Sequence, residues 1–269
     1  MTSNDERPAR FVGHQYPQII PDPEKVEPGA LAPWSSLPVS ARSGLSLDLV
    51  VSRLRRENRL LATHPLPDHP EELSLVADAW PVPTTRRSAV LVALFEEEGE
   101  THVVLTRRSL TLRHHRGEIA LPGGRCEDDE TAVETALREA REEVGLDPST
   151  ITPLAWLSPI VSFASGSSIW PIVGLLPERP ELTIDPTEVD RAFTVTLADL
   201  VADEAFVEER WRRALRRPGA DEDGYFPIYF FKVPGDVVWG ATARVLTELL
   251  CLVIGVPRTR EHGSRGRPS

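Results

Sequence analysis

The sequence predicts an α+β fold, a sandwich built around a mixed sheet. Strand-like and helix-like segments mix without the regular alternation that marks a parallel sheet wrapped by crossover helices. Apolar residues make up 41% of the 269 and charged residues 26%, a balance that lets one domain of this length bury a core. No internal repeat, zinc-ligand spacing or Walker-type loop interrupts that picture.

Residues 1–39 are rich in proline and charge and lack periodicity, so they read as an extended or disordered arm, with Trp34 placed to pin its end to the body. A single domain follows over residues 40–257. It opens on a helical extension, where Leu45, Leu47, Leu49, Val50, Val51, Leu54, Leu60 and Leu61 recur among arginines. "PLPDHPEE" breaks the chain. "RSAVLVALFEEEGETHVVLTRRS" then reads as a hairpin, two apolar strands joined by an acidic, glycine-containing turn. A loop ending in Pro122-Gly123-Gly124 leads into a helix. Asp128, Asp129 and Glu130 crowd its start, where acid suits the helix dipole, and Thr131 lies just behind. Ala132, Val133, Ala136, Leu137, Ala140 and Val144 form a narrow buried face, and Gly145 with Pro148 stops the helix. "LAWLSPIV" and "SIWPIVGLL" read as strands, and "EVDRAFTVTLADL" begins another segment. "YFPIYFFKVPGDVVWG" reads as strand–turn–strand and "ATARVLTELLCLVIGV" as an amphipathic helix. Residues 203–224 carry no assignable motif, and residues 258–269 read as a disordered tail.

The formal net charge is −11, and an acidic body repels phosphate backbones, so no nucleic-acid partner is expected. A small anion held by a local basic patch or through bound cations is compatible with that charge. Two cysteines, Cys126 and Cys251, make neither a disulfide framework nor a zinc cluster and suit a reducing compartment. "MTSNDERPAR" has no apolar run, and the longest apolar stretches are too short to span a bilayer. The expected location is the cytoplasm, without membrane attachment. The oligomeric state stays open, a homodimer being one option. His64, His69, His102 and His262 are isolated and read as surface residues; Trp156, Phe163, Trp170, Phe193, Tyr229 and Phe230 read as strand packing.

Chemistry concentrates around the helix after Gly124. Glu139, Glu142 and Glu143 are spaced i, i+3 and i+4, so their carboxylates share one face. Left bare, such glutamates destabilise a helix by a few tenths of a kcal/mol per pair, and a hard divalent cation reverses the sign. The competing reading is a solvated face in which Arg138 and Arg141 pair with the acids. Directly upstream, Arg107, Arg108, Arg113, His114, His115 and Arg116 form a basic cluster able to attract an anion.

The spacing of Gly124, Glu130, Arg138-Glu139, Glu142-Glu143, Gly145 and Leu146 resembles the Nudix box, with every fixed position filled and Ala140 standing where a larger aliphatic is usual. The resemblance implies an α/β/α sandwich and Mg²⁺- or Mn²⁺-dependent hydrolysis of a diphosphate linked to another moiety. It implies that Glu139 and Glu143 are metal ligands and that Glu142 is a ligand or the base acting on water. It implies too that Arg138 orients Glu130 or a ligand glutamate, and that Gly124 and Gly145 permit the bracketing turns. Leu105-Thr106, Arg108-Ser109, Arg113, Gly117 and Leu121-Pro122-Gly123-Gly124 are similar to the second signature of the coenzyme A pyrophosphatase branch, with Val104 and Leu121 departing from it conservatively. This implies substrate binding by Arg107, Arg108, Arg113, His114, Arg116, Gly123 and Gly124. "SGSSIWPIVG", "DPTEVDRAFTVTLADL" and "VVWGATARVL" continue the likeness, with Glu188 as an extra acid near the site. The expected substrate is coenzyme A or acyl-coenzyme A. The alternatives are ADP-ribose, a dinucleoside polyphosphate or an oxidised nucleotide, and a nucleotide-sensing module without turnover.

Overall fold

The computed structural model describes residues 18–21, 23–63, 66, 86–127, 129–162, 167–212 and 223–257. The expected tail lies outside them, as do Asp128, Phe163, His64, His69 and His262. In chain order the elements are β1 (Lys25–Pro28), α1 (Leu47–Arg56), β2 (Arg86–Glu97), β3 (Glu100–Arg108), β4 (Ile119–Ala120), β5 (Gly123–Arg125), α2 (Ala132–Val144) and β6 (Thr152–Trp156). They continue as β7 (Ile160–Ser162), β8 (Ser167–Leu175), β9 (Val189–Thr196), α3 (Leu197–Leu200), β10 (Phe206–Arg212), β11 (Tyr225–Val233), β12 (Asp236–Trp239) and α4 (Gly240–Ile254).

The larger sheet has eight strands on the path β4-β3-β2-β8-β6, with β5 beside β2, β7 beside β8 and β9 beside β3. β2 runs parallel to β8 and antiparallel to β3 and β5, so the sheet is mixed. Strand alternation sorts β2 between two cores. Ala89, Leu91, Ala93 and Phe95 face one way and are buried with Ala136, Ala140 and Val144 of α2. Val92 and Leu94 face the other way and are buried with Val50 and Leu54 of α1 and Leu246, Leu249 and Leu250 of α4. The result is helix, sheet, helix. Ala140, the small residue in the helix face, is fully buried there.

A second sheet was not expected. β1-β10-β11-β12 is antiparallel throughout. One face joins the main core through Phe206, Phe231 and Val238, against which Trp34 is buried. The other gathers Trp211, Phe230 and Val237. Part of the expected arm, Lys25–Pro28, is thus an edge strand paired with β10. His102, expected at the surface, is partly buried and stacks on Phe95 with ring centroids 4.9 Å apart. Trp156, Trp170, Tyr229 and Phe230 are buried among strands.

Candidate active site

The site is assembled by α2 and the segments at its two ends. Thr131 caps the helix: its hydroxyl accepts from the Glu134 N–H at 3.2 Å, while the Glu134 carboxylate accepts from the Thr131 N–H at 2.9 Å. This reciprocal box satisfies two of the amides that a helix start leaves free. At the other end Gly145 takes a left-handed conformation (φ 73°), which a residue with a Cβ adopts at a cost. The Thr183 N–H donates to the Val144 carbonyl and the Asp185 N–H to the Glu143 carbonyl, both at 3.0 Å. The loop that does this is folded by Asp185, which accepts from the Thr187 N–H and hydroxyl. The same loop delivers Glu188, whose carbonyl accepts from the Ser109 N–H at 2.7 Å.

Glu139, Glu143 and Glu188 converge. Each offers a carboxylate oxygen, and these oxygens lie within 4.8 Å of one another. β5 lines the site: the Gly123 N–H donates to Glu143 Oε2 at 3.1 Å. A Cβ on Gly124 would collide with the Glu139 carboxylate, so glycine there makes the room that carboxylate fills. Glu143 is only 3% exposed, and burial pushes its carboxyl up to about 7 against the opposing Gly123 N–H and Arg108 charge. Glu139 is pushed up as well, burial being the leading cause and Arg138 opposing it.

Arg138 binds four partners at once. It donates to both Glu130 oxygens (2.7 and 3.1 Å), to Glu139 at 3.0 Å, to Glu142 at 2.9 Å and to the Arg125 carbonyl at 3.1 Å. It therefore touches Glu130 and Glu139 together. Glu130 also accepts from the Glu127 N–H and the Thr135 hydroxyl, and is held down at about 2, chiefly by Arg138. Its oxygens are committed to protein donors. Glu142 is 58% exposed and leans on Arg138, outside the converging trio.

The basic cluster divides. Arg113, His114 and Arg116 are exposed on the turn after β3, whose base is closed by the Arg108 N–H to the Glu118 carbonyl and the Gly117 N–H to the Arg108 carbonyl, both 3.0 Å. His115 pairs with Glu118, and that hydrogen bond raises its basicity. Arg108 approaches Glu143, with Nη1 to Oε1 at 3.7 Å. Arg107 turns away. It pairs with Asp190 at 2.7 Å and reaches the fully buried Asp236 at 3.4 Å, which Arg191 also reaches at 3.3 Å. Reasoning from sequence missed Asp190 and Asp236. The local signal for the Glu188 loop was the Asp185-Pro186-Thr187 turn.

Three converging carboxylates on a loop–helix–loop, with Glu143 buried, Glu139 half-buried and Glu188 exposed, and with arginine at their border, have the chemistry to hold a hard divalent cation. The NUDIX domain model matches residues 85–216. Over 185 residues the chain is 34% identical to "Uncharacterized Nudix hydrolase NudL" of Photorhabdus laumondii, covering 68% of this chain and 89% of that one. Over 179 residues it is 36% identical to "Nudix hydrolase 22, chloroplastic" of Arabidopsis thaliana, covering 64% of this chain and 57% of that one. The chain thus spans little more than half the length of that plant relative. The solved NUDIX domain of Shewanella oneidensis NrtR, in complex with ADP ribose, aligns with a TM-score of 0.37 at 20% identity, over 49% of this chain and 86% of that one. The chain belongs to the Nudix hydrolase family.

Proposed function

We propose that the chain hydrolyses the diphosphate of coenzyme A or acyl-coenzyme A with Mg²⁺ or Mn²⁺. One water is added across the P–O–P link, giving 4′-phosphopantetheine or its acyl form and adenosine 3′,5′-bisphosphate. The observation that carries the reading is the convergence of Glu139, Glu143 and Glu188 at the foot of the basic turn that bears Arg113, His114 and Arg116.

The residues fit a hard divalent cation. The donors are carboxylate oxygens, Gly124 leaves the space that seats Glu139, and the buried Glu143 lacks full compensation from Arg108 at 3.7 Å. Glu139, Glu143 and Glu188 would hold the ion, and Arg138 orients Glu139. A bound cation supplies charge neutralisation and a more acidic water. Glu142 has two readings, a further ligand or the base that takes the proton from the attacking water; its open position supports the second. Arg108 and the exposed basic turn draw in the phosphates. Coenzyme A adds a 3′-phosphate to its diphosphate, which suits a turn with several cationic side chains.

Incubation with coenzyme A and Mn²⁺, with products resolved by chromatography, tests this. Adenosine 3′,5′-bisphosphate is the expected product, and its absence at high enzyme concentration sinks the assignment. A panel in which ADP-ribose, a dinucleoside polyphosphate or an oxidised nucleotide turns over well above coenzyme A replaces the substrate. The same reading puts the protein in the cytoplasm, acting on a small molecule. It is supported by the free thiols Cys126 and Cys251. Among the described residues no helix is long and apolar enough to cross a membrane.

A further inference from the structure

Arg107 and Arg108 are neighbours with different surroundings. The register between β3 and β9 slips between them, pairing Arg107 with Arg191 and Arg108 with Val189, so Asp190 is the extra residue of a bulge. Such a bulge re-aims side chains. Arg107 is saturated by Asp190 and Asp236. Arg108 is not. Its Nη1 stands 3.7 Å from Glu143, beyond hydrogen-bond range, and its buried Nε has no partner among the described residues. An arginine serving only to hold a carboxylate would close on it in a short, bidentate pair. The backbone N–H and carbonyl of Arg108 are both tied to the turn after β3, so its side chain starts from a set position beside the site and its guanidinium is left to choose a partner. The result is a cation with spare donors, facing the most buried member of the carboxylate trio while 28% of its side chain remains open to solvent.

We propose that Arg108 is a built-in counter-ion that exchanges partners: it balances Glu143 in the cation-free site and passes to the diphosphate once a divalent cation takes Glu143. This rests on the reading of the site as a cation-dependent diphosphatase. The guanidinium and the cation compete for one carboxylate, so each disfavours the other until an anion arrives to occupy Arg108. Cation and diphosphate then favour each other's binding, and by linkage the coupling is reciprocal.

Calorimetry on the full chain tests the exchange, with Mn²⁺ as the cation and methylenediphosphonate as an inert diphosphate, corrected for their association in solution. In Arg108→Gln, Mn²⁺ binding to the ligand-free protein is expected to tighten about threefold or more, because a competing charge is gone. Diphosphonate binding at saturating Mn²⁺ is expected to weaken about tenfold or more. Arg108→Lys keeps the charge, so Mn²⁺ affinity stays near wild type while diphosphonate binding weakens for want of a planar fork. Circular dichroism verifies folding, and the lysine variant carries the test if the glutamine variant does not fold. Looser Mn²⁺ binding in Arg108→Gln overturns the exchange, because it assigns Arg108 the role of orienting Glu143; unchanged diphosphonate affinity in both variants overturns it too. A wild-type protein that binds no Mn²⁺ overturns both this proposal and the diphosphatase reading. Intact Mn²⁺–diphosphonate coupling without coenzyme A turnover overturns only the choice of substrate.

Discussion

At Glu143 burial and the proposed chemistry pull in opposite directions: to serve as a metal ligand it must be ionised, yet its surroundings push the carboxyl up to about 7. In an unfolded chain the same group titrates near 4.5. Its contribution to cation-free stability is therefore fully present below about pH 4.5 and is lost as pH rises through about 7. Cation binding requires the ionised form, so Mn²⁺ affinity should rise roughly tenfold per pH unit between about pH 5 and 7 and level off above. Titrations across that range check it, and a flat profile would remove Glu143 from the ligand set. Glu130 behaves in the opposite sense, contributing stability that is fully present above about pH 4.5 and is lost as pH falls from there through about 2. Gly124 supplies a second test at this scale. Its φ is not positive, so alanine suits the backbone, but the added methyl would displace the Glu139 carboxylate. Gly124→Ala should weaken Mn²⁺ binding about tenfold or more with the fold intact. That Glu139, Glu142 and Glu143 share one helix face was legible from spacing; that Glu142 stays outside the converging carboxylates was not. That Arg107 serves a salt-bridge network while Arg108 faces the site was not, because the β-bulge separating them has no periodic signature.

At the scale of the element, α2 shows how much of a helix is written locally. Its small-residue face, its glycine stop and the acids before it were readable, and Ala136, Ala140 and Val144 are buried as that face requires. Of the acids before it, Glu130 is bound by Arg138, and the cap is Thr131 paired with Glu134. Thr131→Ala removes the reciprocal cap and should cost about 1 kcal/mol. For a domain of this size that lowers Tm by about 2–4 °C, measurable by thermal melts, whereas an unchanged Tm would mean the helix start is held elsewhere. What meets the far end of the helix could not be read. Its last carbonyls are met by Thr183 and Asp185, some forty residues on, and hydrogen bonds of that range leave no local pattern. Through them the helix that carries Glu139 and Glu143 is joined to the loop that carries Glu188.

Across the whole molecule the layered core was legible and the second sheet was not. β2 alternates cleanly between two apolar faces, but β10 reads "FVEERWR", in which charge masks the pattern, and β1 is four residues containing a lysine and a proline. These strands owe their form to one another, through pairings such as Val26 with Trp211 and Phe206 with Phe231. The two sheets meet at a charged joint. Arg107 and Arg191 stand directly opposite each other on β3 and β9, a like-charge pairing that is unfavourable alone. Asp236, the first residue of β12 and 0% exposed, reaches both guanidinium groups. Removing it leaves Arg107 with Asp190 alone, takes from Arg191 its buried carboxylate partner and removes an ionic link between β12 and the larger sheet. Breaking a fully buried pair costs about 3–5 kcal/mol, but these arginines are partly open to water and can rehydrate. Asp236→Ala should therefore destabilise the fold by about 2 kcal/mol, and Asp236→Asn, which keeps shape and acceptor, by less. Urea unfolding should show a lowered midpoint in that order. Equal midpoints for all three proteins would mean that the sheets are joined by their apolar core alone.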